Sequence, residues 1–150
     1  MTNDGHTTPS PQAQELASRA ADAMWRDDHA SQALGMEIQR IGPGTAEIAM
    51  TIRTDMVNGL GVAHGGFIFL LADSTFAFAC NSYNQRTVAA GAEIHFLAPA
   101  HEGDRLTAVC QEVHRGGRSG IYDVTVRRQD GTRVAVFRGR SASVKGVHVE

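Results

Sequence analysis

Apolar residues recur at helical spacing in the first part of the chain. Pro11 suits the first turn of a helix, and the pattern after it predicts a helix to about residue 28. A short helical turn over residues 30–34 should end at Gly35, because glycine often follows a helix C-terminus. The polar start, residues 1–10, is predicted to be a disordered tail.

Alternation of apolar and polar residues replaces the helical period after Met36. The residues on both sides of the turn Gly42–Gly44 alternate, which predicts a β-hairpin. Turn signals separate four further predicted strands, at 87–97, 105–114, 119–128 and 133–144. Residues 146–150 carry no clear pattern and are predicted to be a C-terminal tail.

An apolar run rich in Ala, Leu and Phe lies between the hairpin and the four strands. It predicts a helix from Gly65 to about Asn84, roughly 30 Å long and apolar on nearly every face. The order predicts one α+β domain over residues 11–145, with a six-stranded antiparallel sheet wrapped around this central helix and an extra N-terminal helix. The open edge and second face of such a sheet predict self-association.

Asp73 interrupts the apolar run of the central helix. An unpaired carboxylate in apolar surroundings costs several kcal/mol or has a raised pKa. Asp73 is therefore the first candidate for chemistry. The alternative is a structural aspartate that bonds neighbouring backbone.

The composition is ordinary for a globular domain. Hydrophobic residues make up 42% and charged residues 20%, and the formal net charge is −2. We therefore expect no nucleic-acid partner, and the pattern offers no membrane span and no secretory signal. Cys80 and Cys110 stand in apolar context, which indicates reduced core thiols in a cytoplasmic protein.

Other hydrolase classes find little support. The His residues show no metal-ligand spacing, so no metal site is predicted, and the GxSxG motif of serine hydrolases is absent. Cys80 has no neighbouring His that would activate a thiol nucleophile.

A set of motifs covers the chain from about Met36 to Ser141. It comprises Met56–Gly59, His64–Gly66, Leu71–Asp73, Phe76–Ser82, Phe96–Pro99 and Phe137–Arg140. In this order and spacing the chain resembles hotdog-fold acyl-CoA thioesterases of the phenylacetate-degradation (PaaI) type. The resemblance implies hydrolysis of an aryl-acetyl-CoA or hydroxylated aryl-acetyl-CoA, without a cofactor, since coenzyme A is part of the substrate.

The resemblance also implies roles for four residues. Asp73 corresponds to the catalytic carboxylate, and His64 with Gly65 to the loop–helix junction that receives the thioester carbonyl. Asn58 corresponds to an amide that holds the water or the carboxylate, although Asn-Gly is also a turn signal. Since imidazolium is disfavoured at a helix start, His64 is expected to orient the loop more than to transfer protons.

Two positions depart from related thioesterases. Gly91 and Ala77 stand where some relatives carry the Ser or Thr that positions water. This leaves open whether Asp73 acts as a general base or as a nucleophile.

Substrate-binding roles extend to several flanking residues. The turn Arg115–Ser119 offers Arg115, Arg118 and Ser119 to coenzyme A phosphates, or is simply a solvated turn. Arg138 and Arg140 share a strand face and are weaker candidates for the same nucleotide. The remaining substrate-binding candidates are Gly66, Phe76 and Ala77. The aromatic residues Phe76, Phe78 and Phe96 are more typical of the core, so Phe76 belongs to both groups of predictions.

The spacing of Gly65 and Asp73 predicts a shared site. Eight residues of helix separate them by about 12 Å and by roughly 80° of direction. Since attack needs contacts of about 3 Å, we expect one subunit of a homodimer to supply Gly65 and the other Asp73. The family resemblance implies a dimer of such dimers. A non-catalytic acyl-CoA-binding module is the alternative function.

Overall fold

The computed structural model describes residues 7–150, so the expectation of disorder for residues 1–6 lies outside it. The helices are α1 (Pro11–Asp27), α2 (His29–Ala33) and α3 (Gly65–Cys80), with a 3-10 turn at Thr54–Met56. The strands are β1 (Glu37–Gly42), β2 (Thr45–Thr51), β3 (Gln85–Phe96), β4 (Arg105–Gly116), β5 (Ser119–Arg127) and β6 (Arg133–Val147). The predicted α+β architecture with six strands and an extra N-terminal helix is confirmed.

The N-terminal helix starts with a defined cap. Ser10 Oγ accepts the Ala13 N–H at 3.1 Å, and Pro11 occupies the first turn, where its missing N–H costs nothing. Buried Ala17 and Ala20 lie on the face of α1 that packs on β1. Ser10 therefore belongs to the cap of α1, and the predicted tail ends before it.

Helix α3 forms the centre of the domain and packs on β2, β4 and β5. It ends at Cys80 and not at the predicted Asn84, because the Asn81 side chain caps it. Asn81 Nδ2 donates to Ala77 O at 2.9 Å, and its Oδ1 accepts the Thr87 N–H at 2.9 Å. No helix formed by residues 7–150 is both long and apolar enough to cross a membrane.

The sheet is antiparallel throughout, in the order β1-β2-β4-β5-β6-β3, and encloses α3 on its inner face. Gly139 permits the closest approach, since a Cβ at this position would lie 2.8 Å from the Phe76 ring. Phe76 packs in turn against Tyr122 and Phe137. The predicted core positions Phe76 and Phe78 are confirmed by their burial.

Strand β3 is an open edge of the sheet. It is bonded to β6 alone, and nearly all of its residues are exposed. The placement of Phe96 in the core is wrong, because its side chain is 53% exposed at the end of this strand.

The C-terminus is more ordered than predicted. Strand β6 continues to Val147, and Asn84 Nδ2 donates to Val149 O at 2.8 Å. Of the predicted C-terminal tail at 146–150, Val147 thus pairs with Gln85 of β3, and the Asn84 amide holds Val149.

Candidate functional site

Asp73 lies half-buried on the wall of a cavity of about 650 Å³. The cavity is lined by α3, the end of α1, the start of β3 and the end of β6. Its walls are mostly apolar and include Met24, Phe76, Ala77, Cys80 and Val88. The sequence-predicted residues Asp73, Phe76 and Ala77 are thus brought together on one wall.

The carboxylate of Asp73 has no stabilising partner in the described part of the chain. Neither a hydrogen bond nor an ion pair reaches it from residues 7–150, so the alternative of a structural aspartate bonded to backbone finds no support here. Burial raises the pKa of Asp73 above the ordinary 3.8. A carboxylate in this state is suited to accept a proton or to attack an electrophile.

The N-terminus of α3 is ordered by His64. The ring nitrogen Nδ1 of His64 accepts the Gly66 N–H at 2.9 Å, and the backbone N–H of His64 donates to Met56 O at 2.8 Å. His64 Nδ1 is therefore an acceptor in the loop cap, which fits the orienting role expected for it. The Gly66 N–H is already used by this cap, whereas the Gly65 N–H meets no acceptor among residues 7–150.

Gly65 lines a second cavity, of about 370 Å³, together with Ile68, Phe96 and Pro99. The Phe96 ring lies so close that a Cβ on Gly65 would be 2.9 Å from its edge. Gly65 and Asp73 therefore open into separate cavities of the same chain, at helix positions about 12 Å apart.

Asn58 organises the loop before α3. Its Oδ1 accepts the Leu60 N–H at 2.9 Å and the Val62 N–H at 3.4 Å. Within one chain Asn58 is thus a turn residue, which is the structural alternative that its Asn-Gly sequence offered.

Arg115 is engaged by its own chain. Its guanidinium carbon lies 3.6 Å from the centroid of the Tyr83 ring, and its Nε lies 3.9 Å from Glu112 Oε2. Arg115 is exposed at the end of β4 and lines neither of the two cavities on α3.

Arg118 and Ser119 lie at the sheet end that borders the Asp73 cavity. The Arg118 carbonyl accepts the Ser143 N–H at 2.8 Å, next to Val144, which lines the cavity. Both side chains are exposed there.

Arg138 and Arg140 occupy the outer face of the sheet, opposite to the inward-facing Gly139. Arg138 donates to both oxygens of Asp123, at 2.6 and 2.8 Å, and Arg140 donates to Ala90 O at 3.1 Å. The structure therefore separates these two arginines from the Asp73 cavity.

Sequence reasoning missed several polar groups around Asp73. They are Arg26, Asp27, Asp28, Asn81, Arg86 and His148. The charged end of the predicted first helix was a signal for three of them, whereas His148 stood in a segment predicted to be a tail. Among residues 7–150 no group of three or more His, Cys, Asp or Glu residues is arranged to hold a metal ion.

Comparison with known proteins shows the family of this chain. Residues 60–135 match the Thioesterase superfamily. The chain is also similar to the acyl-coenzyme A thioesterase PaaI of Escherichia coli (strain K12), with 42% identity over 84% of this chain and 90% of that protein. The chain belongs to the thioesterase superfamily.

Solved structures of similar thioesterases agree with the fold. The structure of the E. coli PaaI protein matches with a TM-score of 0.89 and 40% identity, over 90% of this chain and 98% of that chain. A mutant of the phenylacetic acid degradation protein PaaI from Thermus thermophilus matches with a TM-score of 0.74 and 35% identity, over 77% and 98% of the two chains. This thioesterase therefore has the hotdog fold and is of the PaaI type, as the motifs predicted.

Family membership decides between the two functions left open by the sequence. The chain is a thioester hydrolase, and the non-catalytic binding module is set aside.

Proposed function

We propose that this thioesterase hydrolyses aryl-acetyl-CoA, with a phenylacetyl or hydroxyphenylacetyl group, to the free acid and coenzyme A, without a cofactor. The similar E. coli protein comes from a phenylacetic acid degradation operon. The apolar wall at Phe76 and Met24 beside Asp73 suits an aromatic acyl group. Values of kcat/KM for phenylacetyl-, hydroxyphenylacetyl-, benzoyl- and medium-chain acyl-CoA test this choice.

The active site is formed between two subunits. This proposal rests on one observation: Asp73 and Gly65 open into separate cavities of one chain. One cavity therefore has the carboxylate and the other has the N–H donor, and the reaction needs both. The exposed strand β3 supplies the means of joining them, because an unpaired edge readily pairs with a second copy. In this pairing a two-fold axis lies near the middle of β3. It brings Phe96, which lies beside Gly65, towards the partner subunit's Thr87, at the border of the Asp73 cavity of that subunit. Two such dimers then form a tetramer.

Catalysis divides between the two subunits. The Gly65 N–H at the positive end of α3 donates to the thioester oxygen and stabilises its developing negative charge by about 3 kcal/mol. The Asp73 carboxylate of the other subunit either takes a proton from the attacking water or attacks the carbonyl carbon itself. The C–S bond then breaks, and the coenzyme A thiolate takes up the proton held by Asp73 in the first case or a proton from water in the second. In the second case a water molecule then hydrolyses the anhydride formed between the acyl group and Asp73, which releases the acid and restores the carboxylate.

Complementation between inactive variants tests the shared site. Gly65→Pro removes the N–H at the first helical position, which proline tolerates, and the extended backbone of His64 suits a following proline. Gly65→Ala is the matched control, since it adds the same Cβ near Phe96 but keeps the N–H. Mixing Gly65→Pro with Asp73→Asn subunits should restore about a quarter of wild-type activity, because half of the dimers are mixed and each has one intact site.

The same two changes in one chain give the opposite result. A chain with both Gly65→Pro and Asp73→Asn disables both sites of every mixed dimer, so it should suppress wild-type activity after subunit exchange. Failure of the separate variants to restore activity, with exchange verified by mass spectrometry, would show that each site belongs to one chain.

A further inference from the structure

One side of α3 forms the floor of a groove that leads away from Asp73. Asp73, Phe76, Ala77, Cys80 and Asn81 follow the helical repeat and all line the same cavity. This floor is apolar between Asp73 and Asn81, which lie about 12 Å apart along the helix. Charged residues of other elements, Arg26, Asp27, Asp28 and Arg86, also line the cavity.

His148 completes the far end of this groove, and the hydrogen bonds of Asn81 determine its tautomer. Asn81 Nδ2 donates to Ala77 O and Thr87 O, both at 2.9 Å, so this nitrogen is assigned as the donor. Asn81 Oδ1 accepts the Thr87 N–H and lies 2.7 Å from His148 Nε2. Since Oδ1 can only accept, Nε2 carries the proton and donates it.

The backbone that carries the imidazole is held in place by Asn84. Asn84 Oδ1 accepts the His148 and Val149 N–H groups at 3.0 and 2.9 Å. Burial, assisted by the charge of Arg86, lowers the pKa of His148, which favours the neutral ring.

The neutral tautomer has a lone pair at Nδ1. No donor among residues 7–150 reaches this nitrogen, and His148 is one of the residues that line the cavity. The far end of the apolar floor thus has one fixed acceptor that no group of residues 7–150 uses.

We infer that His148 is a specificity-determining residue that accepts a hydrogen bond from a hydroxyl group on the aromatic ring of the acyl group. This inference rests on the proposed function, because it requires that the acyl group and not the pantetheine arm lies in the groove.

Two substrates and two variants test the inference. We compare kcat/KM for 4-hydroxyphenylacetyl-CoA and phenylacetyl-CoA in the wild type, in His148→Leu and in His114→Leu. His114 is the matched control because it is exposed on β4 and lines neither cavity on α3. His148→Leu should lower the ratio of kcat/KM for the hydroxylated substrate to that for the plain substrate about tenfold, the loss expected for one hydrogen bond. His114→Leu should leave this ratio unchanged.

The ratio also separates the possible failures. If His148→Leu lowers kcat/KM for both substrates by the same factor, or for neither, the inference is wrong while the proposed function stands. A parallel loss is also the expected result if the groove binds the pantetheine arm, which is common to both substrates. If the wild type hydrolyses neither aryl-acetyl-CoA but does hydrolyse another acyl-CoA, both the proposed acyl group and the inference are wrong.

Discussion

Two half-buried carboxylates of this thioesterase, Glu112 and Asp73, have opposite surroundings. Glu112 lies on β4, where its Oε2 accepts the hydroxyl of Tyr122 at 2.8 Å and lies 3.9 Å from Arg115. Asp73 lies on α3 beside an apolar cavity, and no side chain or backbone group of the described residues stabilises its charge.

The difference separates a carboxylate that serves the fold from one that is available for chemistry. Glu112 satisfies a phenol that is 1% exposed and would otherwise be an unpaired buried group. Asp73 gains nothing comparable from folding, and its charge is disfavoured by burial. We therefore expect loss of Glu112 to affect stability and loss of Asp73 to affect catalysis.

The largest effect is expected for Asp73→Asn. The amide keeps the shape of the side chain but can neither accept a proton nor attack a thioester, so kcat/KM should fall about 10³-fold. The wild-type rate should also decline towards acid, with a midpoint above 3.8, because the pKa of Asp73 is raised by burial. Steady-state thiol release across pH measures both. A loss of less than tenfold in kcat/KM would show that Asp73 is not the catalytic carboxylate.

A smaller effect, on stability, is expected for Glu112→Ala. The Tyr122 hydroxyl loses its acceptor, so the free energy of unfolding should fall by about 2 kcal/mol while kcat/KM stays near the wild-type value. Urea unfolding at fixed protein concentration measures this change. Tyr122→Phe provides the control, because Glu112→Ala should cost much less when the phenol is already absent. An equal cost in both backgrounds would contradict the hydrogen bond as the cause.

The smallest effect is expected in the pH dependence of stability. Since the folded pKa of Asp73 lies above 3.8, the folded chain binds this proton more tightly than the unfolded chain does. The Asp73 carboxylate therefore reduces stability as pH rises from 3.8 through the folded pKa. Asp73→Asn should accordingly become more stable relative to wild type as pH rises from 3.8 through the folded pKa of Asp73, as followed by urea unfolding. The opposite slope would reveal a hidden partner that stabilises the charge.

Local sequence was sufficient for the elements and for two catalytic candidates. Helical spacing predicted α1 and α3, alternation predicted the strands, and turn residues separated them, because these signals depend on neighbours a few positions apart. Asp73 was conspicuous as the charge within an apolar helix, and Gly65 as the glycine at its start. Their separation along one helix was enough to suggest two chains.

Contacts between distant segments could not be deduced in this way. The early end of α3 depends on the hydrogen bond between Asn81 and Thr87. The hydrogen bond from His148 to the same Asn81 side chain joins residues 67 positions apart in the chain. The exposure of Phe96 follows from the place of β3 at the edge of the sheet. These features are decided by which surfaces meet when the sheet closes around α3. Local periodicity records which face of an element is apolar, but not which distant residue will cover it.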